Sequence, residues 1–412
     1  MKWIKNGIKN LALVLLSILA AVLVAEAALW MTGSYSDLAT ASLKPSNTVW
    51  TRPARMRDTM KHPDLDHRVS IVYDAAGVRN HSGKLPQEFT HIIGFFGDSY
   101  TENRRLEDRY TVTSLLNEFW GEQRAVNFGI DGFGIEQSFQ RWLNFRDIVR
   151  MDDVLYVFCA NDLQNLYEID LFTLTTTDGT VEFTNRYQNN SRPSMKRAFY
   201  RYLGKWRVTY LVLEAHYKTR GKLVAANSPA LGQMFSDRYL NVARDEYKVR
   251  FQDRYGESIE LDLKSQSPRS ETLAWVEKFR LILMLWKEQV ERNGTRFHIA
   301  ILGDDERALL YRMLGDSIAQ YQLVDFTKDG MPAALQGFSR LFKRDGHWNE
   351  IGNLAAIPVL ADYFVSFGAK AYSPDQKDAF LQAKLAQILE YYHRYGGEPN
   401  PAPRLGVNPP HN

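Results

Sequence analysis

Cysteine is almost missing from this chain. Cys159 is the only one in 412 residues, so no intramolecular disulfide can form. None lies near the apolar N-terminal segment, which excludes a lipoprotein anchor. Cys159 follows the apolar run Val154-Leu155-Tyr156-Val157-Phe158 and reads as an inert core residue. Charge of one sign is scarce as well: 51 Lys and Arg oppose 48 Asp and Glu, for a net charge of +3. No basic patch with interleaved aromatics is present, so nucleic acid is not an expected partner. There are no internal repeats. The dinucleotide fingerprint G-x-G-x-x-G is also lacking. Gly129, Gly132 and Gly134 are spaced G-x-x-G-x-G, with no acidic residue following as that fingerprint needs, and this excludes a nicotinamide site. His62, Asp64, Asp66 and His67 cluster possible metal ligands but match no zinc spacing, so neither metal nor cofactor is expected.

What remains is an ordinary globular composition, 45% hydrophobic and 24% charged, enough for one large domain or two medium ones. Its one long apolar run is N-terminal. Lys2, Lys5 and Lys9 precede Leu11–Ala25, and Ala27 to Met31 extend it past Glu26. As a helix, residues 11–31 would span roughly 30 Å, about one hydrocarbon core. The lysines place the 1–10 tip in the cytoplasm and the remainder outside. Two readings stay open. A signal anchor keeps the helix in the inner membrane, with Trp30 at the outer interface. A signal peptide is cleaved at Ala25-Glu26-Ala27.

Residues 32–90 carry Pro45, Pro53, Pro63 and Pro86 and read as a linker with a lead-in. From there, short apolar strands alternate with helices. Strands are expected at Ile92–Phe96, Ala125–Phe128, Val154–Cys159, Phe297–Leu302 and Gln322–Phe326. Helices are expected at Thr111–Trp120, Ile135–Ile148 and Ser270–Asn293. This alternation predicts an α/β fold of βαβ units, a three-layer α/β/α parallel sheet covered on both faces and spanning 91–372. A mixed insertion at about 166–269 interrupts it, with a hairpin around Asp178-Gly179 and an aromatic helix from Ser194 to Lys218. A C-terminal helix at 373–395 and a proline-rich, disordered tail at 396–412 complete the expected chain.

Four segments at strand ends carry candidate chemistry. Gly97-Asp98-Ser99 ends the first strand, where α/β enzymes place their sites. Taken alone, Ser99 could equally cap the next helix. Asn127-Phe128-Gly129-Ile130-Asp131-Gly132 lets backbone N–H groups approach a ligand. Cys159-Ala160-Asn161-Asp162 offers an amide that could serve a developing oxyanion. Asp345-Gly346-His347 supplies a general base beside a carboxylate.

In this order the segments resemble the blocks of the SGNH (GDSL-like) hydrolase superfamily. Its namesake Ser, Gly, Asn and His fall on Ser99, Gly132, Asn161 and His347. Tyr73-Asp74-Ala75-Ala76-Gly77-Val78-Arg79 is similar to the N-x-x-G-F/V-R lead-in of extracytoplasmic members, with Asp74 in place of Asn. The resemblance implies a flavodoxin-like sheet and a serine hydrolase acting on O-acyl esters through an acyl-serine. In it Ser99 is the nucleophile and His347 the base. The backbone N–H groups of Ser99 and Gly132 and the Asn161 side chain form the oxyanion hole. The chain departs from the pattern twice. Cys159 replaces the glycine of G-x-N-D. Asp345 lies two residues before His347 instead of three, where Arg344 stands; Asp345 is the expected orienting acid. By analogy the expected substrate is an O-acylated glycan outside the cytoplasm, with acetyl as the expected acyl group. An O-acetyltransferase with the same residues, and a non-catalytic assembly protein that keeps the fold, are the alternatives.

Overall fold

The computed structural model describes residues 2–31, 44–45, 50–52, 55–79, 91–122, 125–169, 171–177, 180–185, 208, 241–243, 248–252, 258–262, 270–326 and 330–402. They fall into two compact units. Met1–Leu43 with Asn190–Asp237 form one, and Lys44–Asn189 with Arg238–Asn412 the other. In the first unit α1 runs Lys2–Met31, with Leu13, Leu16, Ile18 and Val24 exposed along it. The side chains of Leu11, Ala12 and Leu15 are not among those described. Among the described residues, no helix is long and apolar enough to cross a membrane.

The second unit opens with two β-ribbons: β1 (Lys44–Pro45) with β2 (Trp50–Thr51), and β3 (Arg57–Lys61) with β4 (Arg68–Val72). The α/β core follows as β5 (Ile93–Phe96), α2 (Ser99–Glu102), α3 (Val112–Trp120), β6 (Ala125–Asn127), α4 (Ile135–Phe145), β7 (Asp153–Phe158) and α5 (Asp162–Ile169). The insertion holds the hairpin β8 (Phe172–Thr177) and β9 (Thr180–Asn185), then β10 (Asn241–Ala243), β11 (Lys248–Gln252) and β12 (Ser258–Asp262), all antiparallel. The core resumes with α6 (Ser270–Arg292), β13 (Arg296–Ile301), α7 (Asp304–Leu314), β14 (Gln322–Asp325), α8 (Glu350–Val365) and α9 (Pro374–Arg394).

The central sheet has five parallel strands in the order β14-β13-β7-β5-β6. Ranked by position in the chain this is 2-1-3-4-5, the flavodoxin-like order. Its switch point lies between β5 and β7, where outgoing loops diverge and leave a crevice. Both strands are buried throughout, as expected for a sheet covered on two sides. The alternation of side chains divides the core. Ile93, Phe95, Leu155 and Val157 pack with Leu115, Leu116, Leu354 and Ile357 of α3 and α8. On the opposite face Phe96, Tyr156 and Phe297 contact Trp286 of α6. Helix ends are fixed locally. Thr111 accepts the Ser114 N–H to start α3, and Gly121 closes it at φ +72°. Asn349 accepts the Gly352 N–H to start α8.

Two expected segments carry ordered structure. Within the expected linker and lead-in, Val69, Ile71 and Tyr73 form a small apolar core, and Arg52, Asp58, His62 and Arg79 are buried. Prolines mark breaks in regular structure, and they say nothing about charged side chains that find buried partners. The tail is ordered at its start. Ser339 N–H donates to Asn400 O at 2.7 Å, Ala402 N–H donates to Gly337 O at 2.8 Å, and Pro401 bridges Phe338. An extended proline-rich strand needs only an open edge to pair with, and composition does not show that edge. Residues 403–412, most of the expected Ser194–Lys218 helix and the Asp178-Gly179 turn lie outside the described residues.

Candidate active site

The backbone itself explains Gly97-Asp98-Ser99. Gly97 takes φ +151°, and a Cβ there would lie 2.5 Å from Thr101 Oγ1 and 2.8 Å from Val157 O. Only glycine lets β5 turn this sharply beside β7. Asp98 caps α2 by accepting the Tyr100 N–H at 2.9 Å. Capping thus falls to Asp98, and Ser99 is released for another role. Its hydroxyl lies 2.7 Å from His347 Nε2.

His347 is held from several sides. Its Nδ1 bonds Asp345 Oδ1, and its backbone N–H donates to the same oxygen at 2.9 Å. The Arg105 Nε–H donates to Asp345 Oδ2 at 2.6 Å. Tyr100 OH donates to the Gly346 carbonyl at 2.8 Å, and its ring lies 5.0 Å from the imidazole. Burial pushes the Asp345 carboxyl up, but the His347 bond and the Arg105 charge outweigh it and hold it well below the usual range. The carboxylate is therefore ionised at neutral pH. An anion on Nδ1 fixes that proton there and leaves Nε2 to accept from Ser99.

Gly132 and Asn161 lie on the loops after β6 and β7, the strands next to β5. Gly132 adopts φ +79° with open space where a Cβ would point. Its loop is fastened to the nucleophile segment three times. Ile130 N–H donates to Gly97 O at 3.1 Å, Asp131 N–H donates to Glu102 Oε2 at 2.6 Å, and the Asn127 side chain donates to Thr101 O at 2.6 Å. The Asn161 amide bonds the Asp98 carboxylate, while its Oδ1 is buried without a partner. An amide carries two N–H groups, so that bond uses one.

Beneath this lies a buried charge network, of which the lead-in motif Tyr73–Arg79 is one side and Arg52, Glu102 and Asp108 the other. Glu102, at the end of α2, is fully buried. Its two oxygens accept Arg52 Nε–H and Nη2–H, each at 2.7 Å, Tyr73 OH at 2.7 Å, and the Asp131 N–H. Burial alone would raise the Glu102 carboxyl, yet Arg52 overrides this and holds it at about 2. Arg79 donates to Asp108 Oδ1 at 2.7 Å and to the carbonyls of Glu102, Asn103 and Leu106, closing the end of α2. Asp74 Oδ1 accepts the Ala76 and Val78 N–H groups. An Asn carbonyl would accept the same pair, so Asp74 Oδ1 keeps the bonds of the lead-in, while its Oδ2 is buried without a partner and burial pushes the carboxyl up. The sequence signal reached only part of this network: Glu102 lies within one turn of the nucleophile at a buried strand end, whereas Arg52 is 50 positions away.

The remaining candidates have other partners. His62 Nδ1 accepts the Asp64 and Leu65 N–H groups, and its Nε2 bonds Glu350 at 2.9 Å. His67 pairs with Glu107. Asp64 accepts the Lys343 and Arg344 N–H groups, steadying the loop that leads to His347. Among the described residues, no group of His, Cys, Asp or Glu could hold a metal ion. Cys159 is buried, and burial pushes its thiol well up, away from the reactive thiolate.

No family model and no curated protein matches the chain. Solved structures do match. One is a protein of the G-D-S-L family from Desulfitobacterium hafniense DCB-2, 9% identical, with a TM-score of 0.32, covering 66% of this chain and 99% of that one. Another is an alpha/beta hydrolase enzyme from the metagenome of Lake Arreo, Spain, 14% identical, with a TM-score of 0.24, covering 66% of this chain and 94% of that one.

Proposed function

We propose that this chain is an SGNH-type serine hydrolase that cleaves O-acyl esters through an acyl-serine intermediate. The observation that carries the reading is the unbroken relay from Ser99 Oγ through His347 to Asp345. In the first half-reaction Ser99 Oγ bonds the ester carbonyl carbon and its proton passes to His347 Nε2. The C–O bond to the alcohol then breaks, and His347 returns the proton to that leaving group. Water repeats the sequence and frees the acid. The N–H groups of Ser99 and Gly132, with the Asn161 amide, receive the oxyanion. One such donor is worth roughly 3–4 kcal/mol in the transition state.

The finer parts of the proposal follow the resemblance and the N-terminal sequence. The ester is an O-acetyl group on an extracytoplasmic glycan, and residues 11–31 anchor the chain in the inner membrane. Full-length protein in detergent micelles is expected to hydrolyse p-nitrophenyl acetate and to be labelled at Ser99 by a fluorophosphonate. Ser99→Ala is expected to lose both, with turnover down about 10⁶-fold. A Ser99→Ala variant that keeps wild-type turnover would falsify the reading. With an acetylated glycan, acetate appearing in water supports the hydrolase. Acetate moved onto a second sugar would make the chain an O-acetyltransferase.

A further inference from the structure

The acid of the relay sits one residue closer to its histidine than the resembling pattern has it. With a single residue between them, the Asp345 carboxylate must fold back on its own chain. Its Oδ1 meets both the backbone N–H and Nδ1 of His347. That arrangement is local, and the side chain keeps 19% of its surface exposed. Water could therefore compete for either oxygen, and rotation of the carboxylate would break the bond to Nδ1. Arg105 closes that route. Its Nε–H donates to Oδ2 at 2.6 Å, and only 14% of its side chain is exposed.

We propose that Arg105 is a positioning residue for the Ser99–His347–Asp345 relay, fixing through its ion pair which carboxylate oxygen His347 meets. The proposal rests on the serine-hydrolase reading above and deepens it. Arg105 lies six residues after Ser99, in the segment that also carries Tyr100, whose hydroxyl holds the Gly346 carbonyl. One stretch of chain thus supplies the nucleophile and two of the groups that orient its base. A short D-x-H turn can then do what a longer spacing does by reach.

The ion pair also has an electrostatic consequence. A bare carboxylate on Nδ1 would stabilise the imidazolium strongly, whereas one shared with a guanidinium does so less. Removing the Arg105 charge therefore makes His347 more basic. The acid limb of the rate profile, where His347 loses its proton and becomes a base, then moves to higher pH. The other groups facing the imidazole stay constant in that comparison. Asp98 faces it from the end of β5, with Asp131 against Asp98, and the Tyr100 ring covers one side.

The test compares Arg105→Gln and Arg105→Lys with wild type by kcat and KM across pH, by thermal melting, and by NMR titration of His347. The last signal is assigned from its loss in His347→Gln. For Arg105→Gln, kcat is expected to fall about 10- to 100-fold with little change in KM or melting temperature. The acid limb and the His347 titration should both rise by about half to one pH unit. Arg105→Lys should restore the limb through its charge but not the full kcat, because a lysine cannot reproduce the guanidinium geometry. An unchanged His347 titration in Arg105→Gln overturns the proposal, whatever the activity. A shifted titration in a protein that never turns over an ester supports the ion-pair role and overturns the hydrolase reading instead.

Discussion

An Asp345→Asn variant is expected to lose about 10⁴-fold in kcat while remaining folded. The reason is a tautomer. His347 must carry its proton on Nδ1 so that Nε2 can accept from Ser99, and an anionic acceptor on Nδ1 enforces this. An asparagine could present either its carbonyl or its NH₂ to the imidazole. Both positions face an N–H donor, and the charged Arg105 Nε–H at Oδ2 outweighs the neutral His347 backbone N–H at Oδ1, which loses its acceptor. The amide carbonyl turns to Arg105, the NH₂ faces His347, and the imidazole is locked with its proton on Nε2. It then points a donor at Ser99 and cannot act as base. The side chains of Asp345 and Arg105 keep only 19% and 14% of their surface exposed, so the variant is expected to melt somewhat lower, and kcat is compared where it is fully folded. The measurement is kcat on a soluble p-nitrophenyl ester alongside a thermal melt. A loss below tenfold with an unchanged melt would mean that Asp345 is not the acid and that His347 works as half of a dyad.

The parts of the molecule legible in the sequence are those written in local pattern. Ile93–Phe96 and Asp153–Phe158 are buried on both faces, so they read as continuous apolar runs. The α6 helix, expected over Ser270–Asn293, runs Ser270–Arg292. The hairpin around 178–179 pairs Thr177 with Thr180, as a two-residue turn requires. Ser99, His347 and Asp345 were each visible beside a strand end or in a loop, and the structure brings the three together. Glu102, Arg52, Tyr73 and Arg79 were not visible as a group. Arg52 and Glu102 are 50 positions apart in the chain. Pairing across such a distance leaves no periodic trace. A lone buried-to-be arginine in a proline-broken stretch looks the same as a surface one. Asp64 escaped for a related reason: its acceptors' partners are backbone N–H groups of Lys343 and Arg344, and backbone donors have no sequence signature.

That hidden network makes the second large prediction. Glu102→Gln is expected to lower stability by about 3–5 kcal/mol, because Arg52 is left buried without its counter-charge. It should also lower kcat by about 10²- to 10³-fold at temperatures where the variant is fully folded. The catalytic part follows from counting acceptors. Four donors converge on the two Glu102 oxygens: two from Arg52, the Tyr73 hydroxyl and the Asp131 N–H. A glutamine offers one oxygen and an NH₂ that cannot accept, so half of these donors lose their partner. The Asp131 N–H immediately precedes Gly132, and its release removes one of the three bonds that fasten the loop carrying the proposed oxyanion donor. Because Ser99 and Glu102 share the single turn of α2, the ion pair sets the distance between nucleophile and oxyanion hole. Tyr73→Phe is the control. It removes one neutral donor, keeps the ion pair and the loop bond, and should cost about 1 kcal/mol with near-wild-type kcat. The pH dependence has a definite sign. The Glu102 carboxyl is depressed from 4.5 to about 2 in the folded protein, so the unfolded chain binds the proton first. Its contribution is fully present above about pH 4.5 and is lost as pH falls toward 2, about 3 kcal/mol in all. Urea unfolding between pH 5 and pH 2 should therefore show a steep loss of stability in wild type and a flatter one in Glu102→Gln. Parallel curves would place the acid sensitivity elsewhere. A Glu102→Gln protein with wild-type kcat would show that the Gly132 loop holds its position without this anchor.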